Sequence, residues 1–250
     1  GEVLRIPQLL AGDVLHRDPL QAKADDHVVA LRLEAQLVQA GDAANVDVDG
    51  DAIYVDLEAD GCVNINMTGV VDAGNNGINV NLANNGDIRI IFDGELTTDD
   101  DGIDAFIGGD GDIAISNSGD ITSEDEDGIA ASINGDGNIT VTNSGDITSE
   151  DEQAIYAYIA EDGDIIISNS GDITSDLGGI DASINGDGNI TVTNSGDITS
   201  EDEQAIYAYI AEDGDIIISN SGDITSDLGG IDASINGDGN ITVTNSGDIT

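Results

Sequence analysis

Positive charge is nearly missing from this chain of 250 residues: five Lys and Arg stand against 52 Asp and Glu, a formal net charge of −47. Nucleic-acid recognition needs Lys and Arg to displace counterions from phosphate, so that class is excluded. One cysteine, Cys62, cannot form a disulfide within the chain. No run approaches the roughly 18 apolar residues of a membrane-spanning helix. Tryptophan is absent and proline occurs only twice, at Pro7 and Pro19. Disorder is not the consequence, because Ile, Val and Leu recur too regularly.

Repetition dominates what is present. Residues 149–199 recur letter for letter at 200–250, and each 51-residue block divides into halves of 26 and 25 residues that end in Asn-Ser-Gly-Asp-Ile-Thr. That hexad starts at Asn117, Asn143, Asn169, Asn194, Asn220 and Asn245. Residues 75–97 and 50–73 keep the spacing with decayed lettering, giving about eight units from residue 50 onward. Within a unit the apolar period is two, as in Ile155, Ala157 and Ile159 around Tyr156 and Tyr158, or Ile190 and Val192 around Thr191. A third short run centres on Ile173 or Ile198. Alternating β-branched residues punctuated by Gly, Asn and Asp predict strands. Three short strands per unit and no helical insert predict an all-β parallel β-helix, a solenoid of about eight coils of 25–26 residues. The crossover rule predicts a right-handed coil. The Asn of each Asn-Ser-Gly corner is expected to bond its stacked copies, and the Gly to take a positive φ.

The pattern N-S-G-D-I-T, an acidic stretch, G-I-x-A and N-G-D-G-N-I resembles repeats in the passenger regions of bacterial autotransporters and related giant surface adhesins. The resemblance covers residues 98–250 well and 50–97 loosely. It implies a secreted, extracellular or cell-surface β-helix without specifying any one activity.

Three segments follow: residues 1–42, a divergent cap or assembly segment; 43–97, divergent coils; and 98–250, the regular acidic array. The first holds both histidines and four of the five basic residues. Its alternating run Leu31-Arg32-Leu33-Glu34-Ala35-Gln36-Leu37 is expected to pair over the first coil, and residues 3–15 suit strand addition to another molecule. With no initial Met or signal peptide, and an end at Thr250 in phase with the repeat, a processed or excerpted chain is expected.

From residue 98 onward there are 35 acidic residues and no Lys or Arg. The 11 charges of one 51-residue block fall on about 9.6 Å of axis, about one per 0.9 Å, denser than the one per about 1.7 Å of duplex DNA. Such a rod gathers cations. Asp120, Asp146, Asp172, Asp197, Asp223 and Asp248 should stack one coil apart and repel. Calcium, which accepts carboxylates in loose geometry, is the candidate ion; a diffuse monovalent shell is the alternative. Candidate ligands are that column, the loop pairs Asp162/Asp164 and Asp213/Asp215, and the acidic corners: Glu150, Asp151 and Glu152, with residues 99–101, 124–127 and 201–203. Two look-alikes are set aside. Gly108-Gly109-Asp110-Gly111-Asp112 echoes a nonapeptide calcium repeat at the wrong period. Residues 47–58 echo an EF-hand loop but have Ala52 where Gly is required.

Acid–base catalysis needs two groups in different surroundings, whereas duplication makes surroundings alike, and the array has no His, Lys or Arg. The expectation is no enzyme and no organic cofactor. Cys62 is expected to be a small buried filler. Tyr156, Tyr158, Tyr207 and Tyr209 should point outward every second coil, as a partner- or carbohydrate-contacting stripe, a seam between rods, or surface cover. Thr191 and Thr193 do not repeat on the sister coil, against an ice-binding array. Sequons begin at Asn66, Asn138, Asn189 and Asn240. The leading expectation is a non-enzymatic surface shaft or adhesin spacer. The alternatives are a fibre subunit whose N-terminal segment docks on the last coil of another molecule, and a glycan- or cation-binding module.

Overall fold

A computed structural model describes residues 29–32 and 45–250. It is all-β: parallel strands wind into a β-solenoid of about eight turns. Three strand columns form its faces. The first contains nine strands, from Val29–Arg32 through Ile53–Leu57 to Gly229–Ile235. The second runs through Ile113–Asn117 and Ile139–Asn143 to Ile241–Asn245, and the third through Asp120–Ser123 and Ile147–Ser149 to Ile224–Ser226. Like meets like in register: Ile155, Ala157 and Ile159 pair with Ile180, Ala182 and Ile184, and these with Ile206, Ala208 and Ile210. Alternation then sends one set of side chains into a continuous buried core of Ile, Val, Leu and Ala, the main source of stability.

The 26- and 25-residue periods have a local origin. Ile147–Ser149 and Ile155–Ile159 are separated by one residue more than Ile173–Ser175 and Ile180–Ile184, so the extra residue sits in the acidic corner and leaves all three faces in register.

The Asn-Ser-Gly corner works only partly as expected. The amides do form a buried ladder: Nδ2 of Asn117, Asn143, Asn169, Asn194 and Asn220 each donates to the Oδ1 of the next Asn at 2.7 Å. The glycines of this corner, however, are absent from the positive-φ set, which includes Gly111, Gly137, Gly163 and Gly188 of the Asp-Gly-Asp/Asn corner. Gly145 and Gly171 are needed for close approach instead, because a Cβ there would run into the carbonyl oxygen of Gly119 or Gly145 one coil below.

Cys62 is a second correction. It is exposed, its Sγ 3.9 Å from Asp87 Oδ2, because the inward position falls on Val63. Of residues 1–42, only Val29–Arg32 is described, paired in parallel with Ile53–Leu57; the histidines, the basic Arg5, Arg17 and Lys23, and residues 3–15 lie outside the described residues. Thr191 sits between Ile166 and Ile217, so the outer second face alternates Thr with Ile. Among the described residues no helix is long and apolar enough to cross a membrane.

Candidate functional site

The outward side chains form columns along the axis, and each candidate site is a stretch of one column. Asp120, Asp146, Asp172, Asp197, Asp223 and Asp248 do stack on one exposed edge. Like charges tolerate this because each carboxylate from Asp120 to Asp223 has a partner that the sequence did not reveal. The backbone N–H of Asp146 donates to Asp120 Oδ1 at 3.1 Å, that of Asp172 to Asp146 at 2.8 Å, and the pattern continues to Asp248 on Asp223 at 2.8 Å. A charged acceptor strengthens these bonds and ties successive coils together.

The loop pairs behave likewise. Asp162 Oδ1 accepts from Asp187 N–H at 2.9 Å, and Asp213 Oδ1 from Asp238 N–H at 2.7 Å. Asp164 and Asp215 alternate with Asn: Asn189 and Asn240 each donate a backbone and a side-chain N–H to the carboxylate below. The side-chain amides of three sequon asparagines, Asn138, Asn189 and Asn240, are thereby held on Asp112, Asp164 and Asp215 at 2.9 Å. Glu150 and Asp151 are exposed, whereas Glu152 is partly covered, its carboxyl raised by burial and then by Glu126, Glu203 and Asp151. Among the described residues no three His, Cys, Asp or Glu side chains form a group that could hold a metal ion.

A more perturbed column lies at the entry to the first face. Asp51, Asn76, Asp101 and Asp127 each accept, through Oδ1, the backbone N–H of the next member, ending with Gln153 N–H on Asp127 at 3.0 Å. Burial, then Asp104, Glu126 and Asp100, lifts Asp101 to about 7 against the opposing bond from Asp127. Burial and then Asp101 lift Asp127 to about 8. The sequence marked these two only as members of acidic corners. The signal separating them from their neighbours is position, two residues before the first inward Ile of the strand.

The outer surface of the first face carries the aromatics. Tyr54, Asn79, Asn81, Asp104, Phe106 and Ser132 line a shallow depression at its lower end. Higher up, Tyr156 and Tyr158 have ring centroids 6.4 Å apart and planes 8° from parallel. Asp181 and Ser183 stand beside them on the next strand, and Tyr207 and Tyr209 on the one after. All six are half-buried. Asn185 and Asn236 side chains donate to the hydroxyls of Tyr158 and Tyr209 at 2.6 and 2.7 Å. The Tyr156 phenol is raised to about 12, by burial first and then by the Asp181 charge.

No family model matches the chain, and neither the curated proteins nor the solved structures include a match to it.

Proposed function

We propose that the chain is a stiff, acidic, non-enzymatic spacer: an extracellular β-helical shaft of the kind carried by autotransporter passengers and giant adhesins. The observation that carries this reading is the Asn ladder, bonded at 2.7 Å from Asn117 through Asn245 and buried as far as Asn220. It runs beside carboxylate-to-backbone columns on other edges. A stack in which each corner bonds its copy one coil away has no hinge along this stretch, and lengthening it requires only another copy of the same block. The polyanionic surface supports solubility and discourages lateral sticking between rods. From residue 98 onward no His, Lys or Arg is available for acid–base or electrostatic catalysis.

Small-angle scattering and electron microscopy test the reading on this chain and on versions with further 51-residue blocks. A constant cross-section, lengthened by about 9.6 Å per added block, is expected. A compact particle whose dimensions do not grow along one axis would overturn it. Long end-to-end filaments would replace the shaft with a fibre subunit.

A further inference from the structure

The duplicated coils build one arrangement that a spacer does not require. On the outer first face Tyr156 and Tyr158 form one wall, Tyr207 and Tyr209 a second, and the strand between them carries the short side chains Asp181 and Ser183. Strands lie about 4.8 Å apart, so the two tyrosine strands are about 9.6 Å apart, with the Tyr158 hydroxyl reaching Asn185 on the coil between them. A group resting over Asp181 is therefore flanked on either side by a tyrosine strand about 4.8 Å away, and a cation held there is attracted to any ring that presents its face. Ser183 Oγ donates to Asp181 Oδ1 at 3.0 Å, which orients the carboxylate and leaves Oδ2 for another donor.

We propose that Tyr156, Tyr158, Asp181, Tyr207 and Tyr209 form a binding slot for a small alkylammonium cation, whose methylene or methyl groups lie against the rings and whose charge meets Asp181. Charge complementarity selects this ligand class. From residue 98 onward the chain offers no Lys or Arg to such a carboxylate. Burial, outweighing the Ser183 bond, and the charge of Glu203 raise Asp181 to about 6, so the group sits in a site that favours an added positive charge. The Asp181 charge also contributes to raising the phenols of Tyr156 and Tyr207, placing it within electrostatic reach of both walls. Below Tyr156 and Tyr158 the neighbouring strand offers Ala130 and Ser132, with no carboxylate, so that side has no equivalent slot. Above Tyr207, Asp232 begins a second copy with one wall.

The chain has no Trp, and four of its five Tyr line this slot, so tyrosine emission reports on it directly. The experiment titrates the full chain with n-butylammonium chloride against sodium chloride at matched ionic strength. A saturable emission change with butylammonium alone is expected. Asp181→Asn should weaken binding about tenfold, the loss of one charge-assisted contact. Tyr207→Ala should also weaken it and Tyr207→Phe retain it, with Asp232→Asn close to the unaltered chain and circular dichroism confirming folding. Identical responses to the two salts, or undiminished affinity in folded Asp181→Asn, would overturn the slot and reduce the effect to counterion screening. Neither result bears on the rod, which scattering tests separately.

Discussion

The divergent coils and the regular coils handle the same buried corner with opposite chemistry. In the divergent part Val63–Ala73 and Ile88–Thr98 run unbroken around the bend from the second face to the third. In the regular part the strand stops at Asn117 and its copies and restarts after Gly. Met67, Phe92 and Asn117 occupy one column, at 2%, 0% and 1% exposure. Below, apolar bulk fills the corner; above, stacked amides satisfy one another. The junction is handled locally. With Phe92 beneath it, Asn117 accepts the N–H of its own Gly119 at 3.2 Å on the oxygen that would otherwise receive an Asn. A buried amide is thus as compatible with this core as a phenyl ring, provided that every copy has its partner.

Breaking each solution in turn sharpens the contrast. Phe92→Ala should have the largest effect, about 3–5 kcal/mol in denaturant unfolding, because it leaves a cavity over Met67. Asn169→Ala should cost about 2–4 kcal/mol. It removes one of the two acceptors of Asn143 Nδ2, which keeps Gly145 O, and it strips the donor from both Asn194 Oδ1 and Gly171 O, leaving buried polar groups to desolvate unpaired. Asn169→Leu, which fills the volume, should recover little of that loss. A Leu variant matching the parent in stability would show that the amides are replaceable filling.

At the entry to the first face the contrast reverses. Asp101 and Asp127 sit there in the lower coils, whereas Gln153, Gly178 and Gln204 follow in the duplicated ones. Both carboxyls titrate far above the usual 3.8, at about 7 and about 8. The folded state therefore holds protons that the unfolded chain releases near pH 4. Their contribution to stability is fully present below that point and is lost as pH rises through 7 to 8. Asp127→Asn should leave the melting midpoint near pH 4 almost unchanged and raise it by a few degrees above pH 8. Asn is tolerated in this column, since Asn76 already accepts the N–H of Asp101 at 2.9 Å. Hydrogen exchange in the unaltered chain should accelerate with pH beyond its intrinsic rate first around residues 101–153. Uniform acceleration along the solenoid would place the titrating groups elsewhere.

These contrasts also show what could be read from the letters. Apolar alternation and the fixed spacing of Asn-Ser-Gly-Asp-Ile-Thr determine the all-β solenoid and the stacking of Asn on Asn, because a repeat in register must place identical side chains one above another. The same logic stacks the aspartates. It does not disclose that a backbone N–H points along the axis toward each carboxylate, a consequence of how the chain enters a strand. Nor does it separate Asp101 and Asp127 from residues 99, 100 and 124–126, since burial in a corner depends on a turn that has no periodicity. The glycine of Asn-Ser-Gly is legible as necessary, but the reason is close approach to the carbonyl one coil below and not a positive φ, which depends on how the coils stack.

The smallest expected effect tests whether the exposed aspartate column is a cost or a clamp. Two unit charges about 4.8 Å apart repel by about 0.9 kcal/mol in water, and Asp172 has such a neighbour on either side. Against this, its Oδ1 accepts the N–H of Asp197 at 2.9 Å. An amide oxygen can make the same bond, as Asn138 does for Asp164 N–H at 3.0 Å. Asp172→Asn should then stabilise the chain by under about 1 kcal/mol at low salt, with the gain vanishing near 1 M salt, where screening acts within about 3 Å. Asp172→Ala, which deletes the acceptor, should destabilise by about 0.5–1.5 kcal/mol in either salt. Calcium would reverse the first sign: if the column is an ion site, Asp172→Asn lowers stability when calcium is present and loses that effect with a chelator. Unfolding both variants in low salt, high salt and calcium thus separates repulsion between neighbours, the bond between coils and a bound ion by the signs of the shifts.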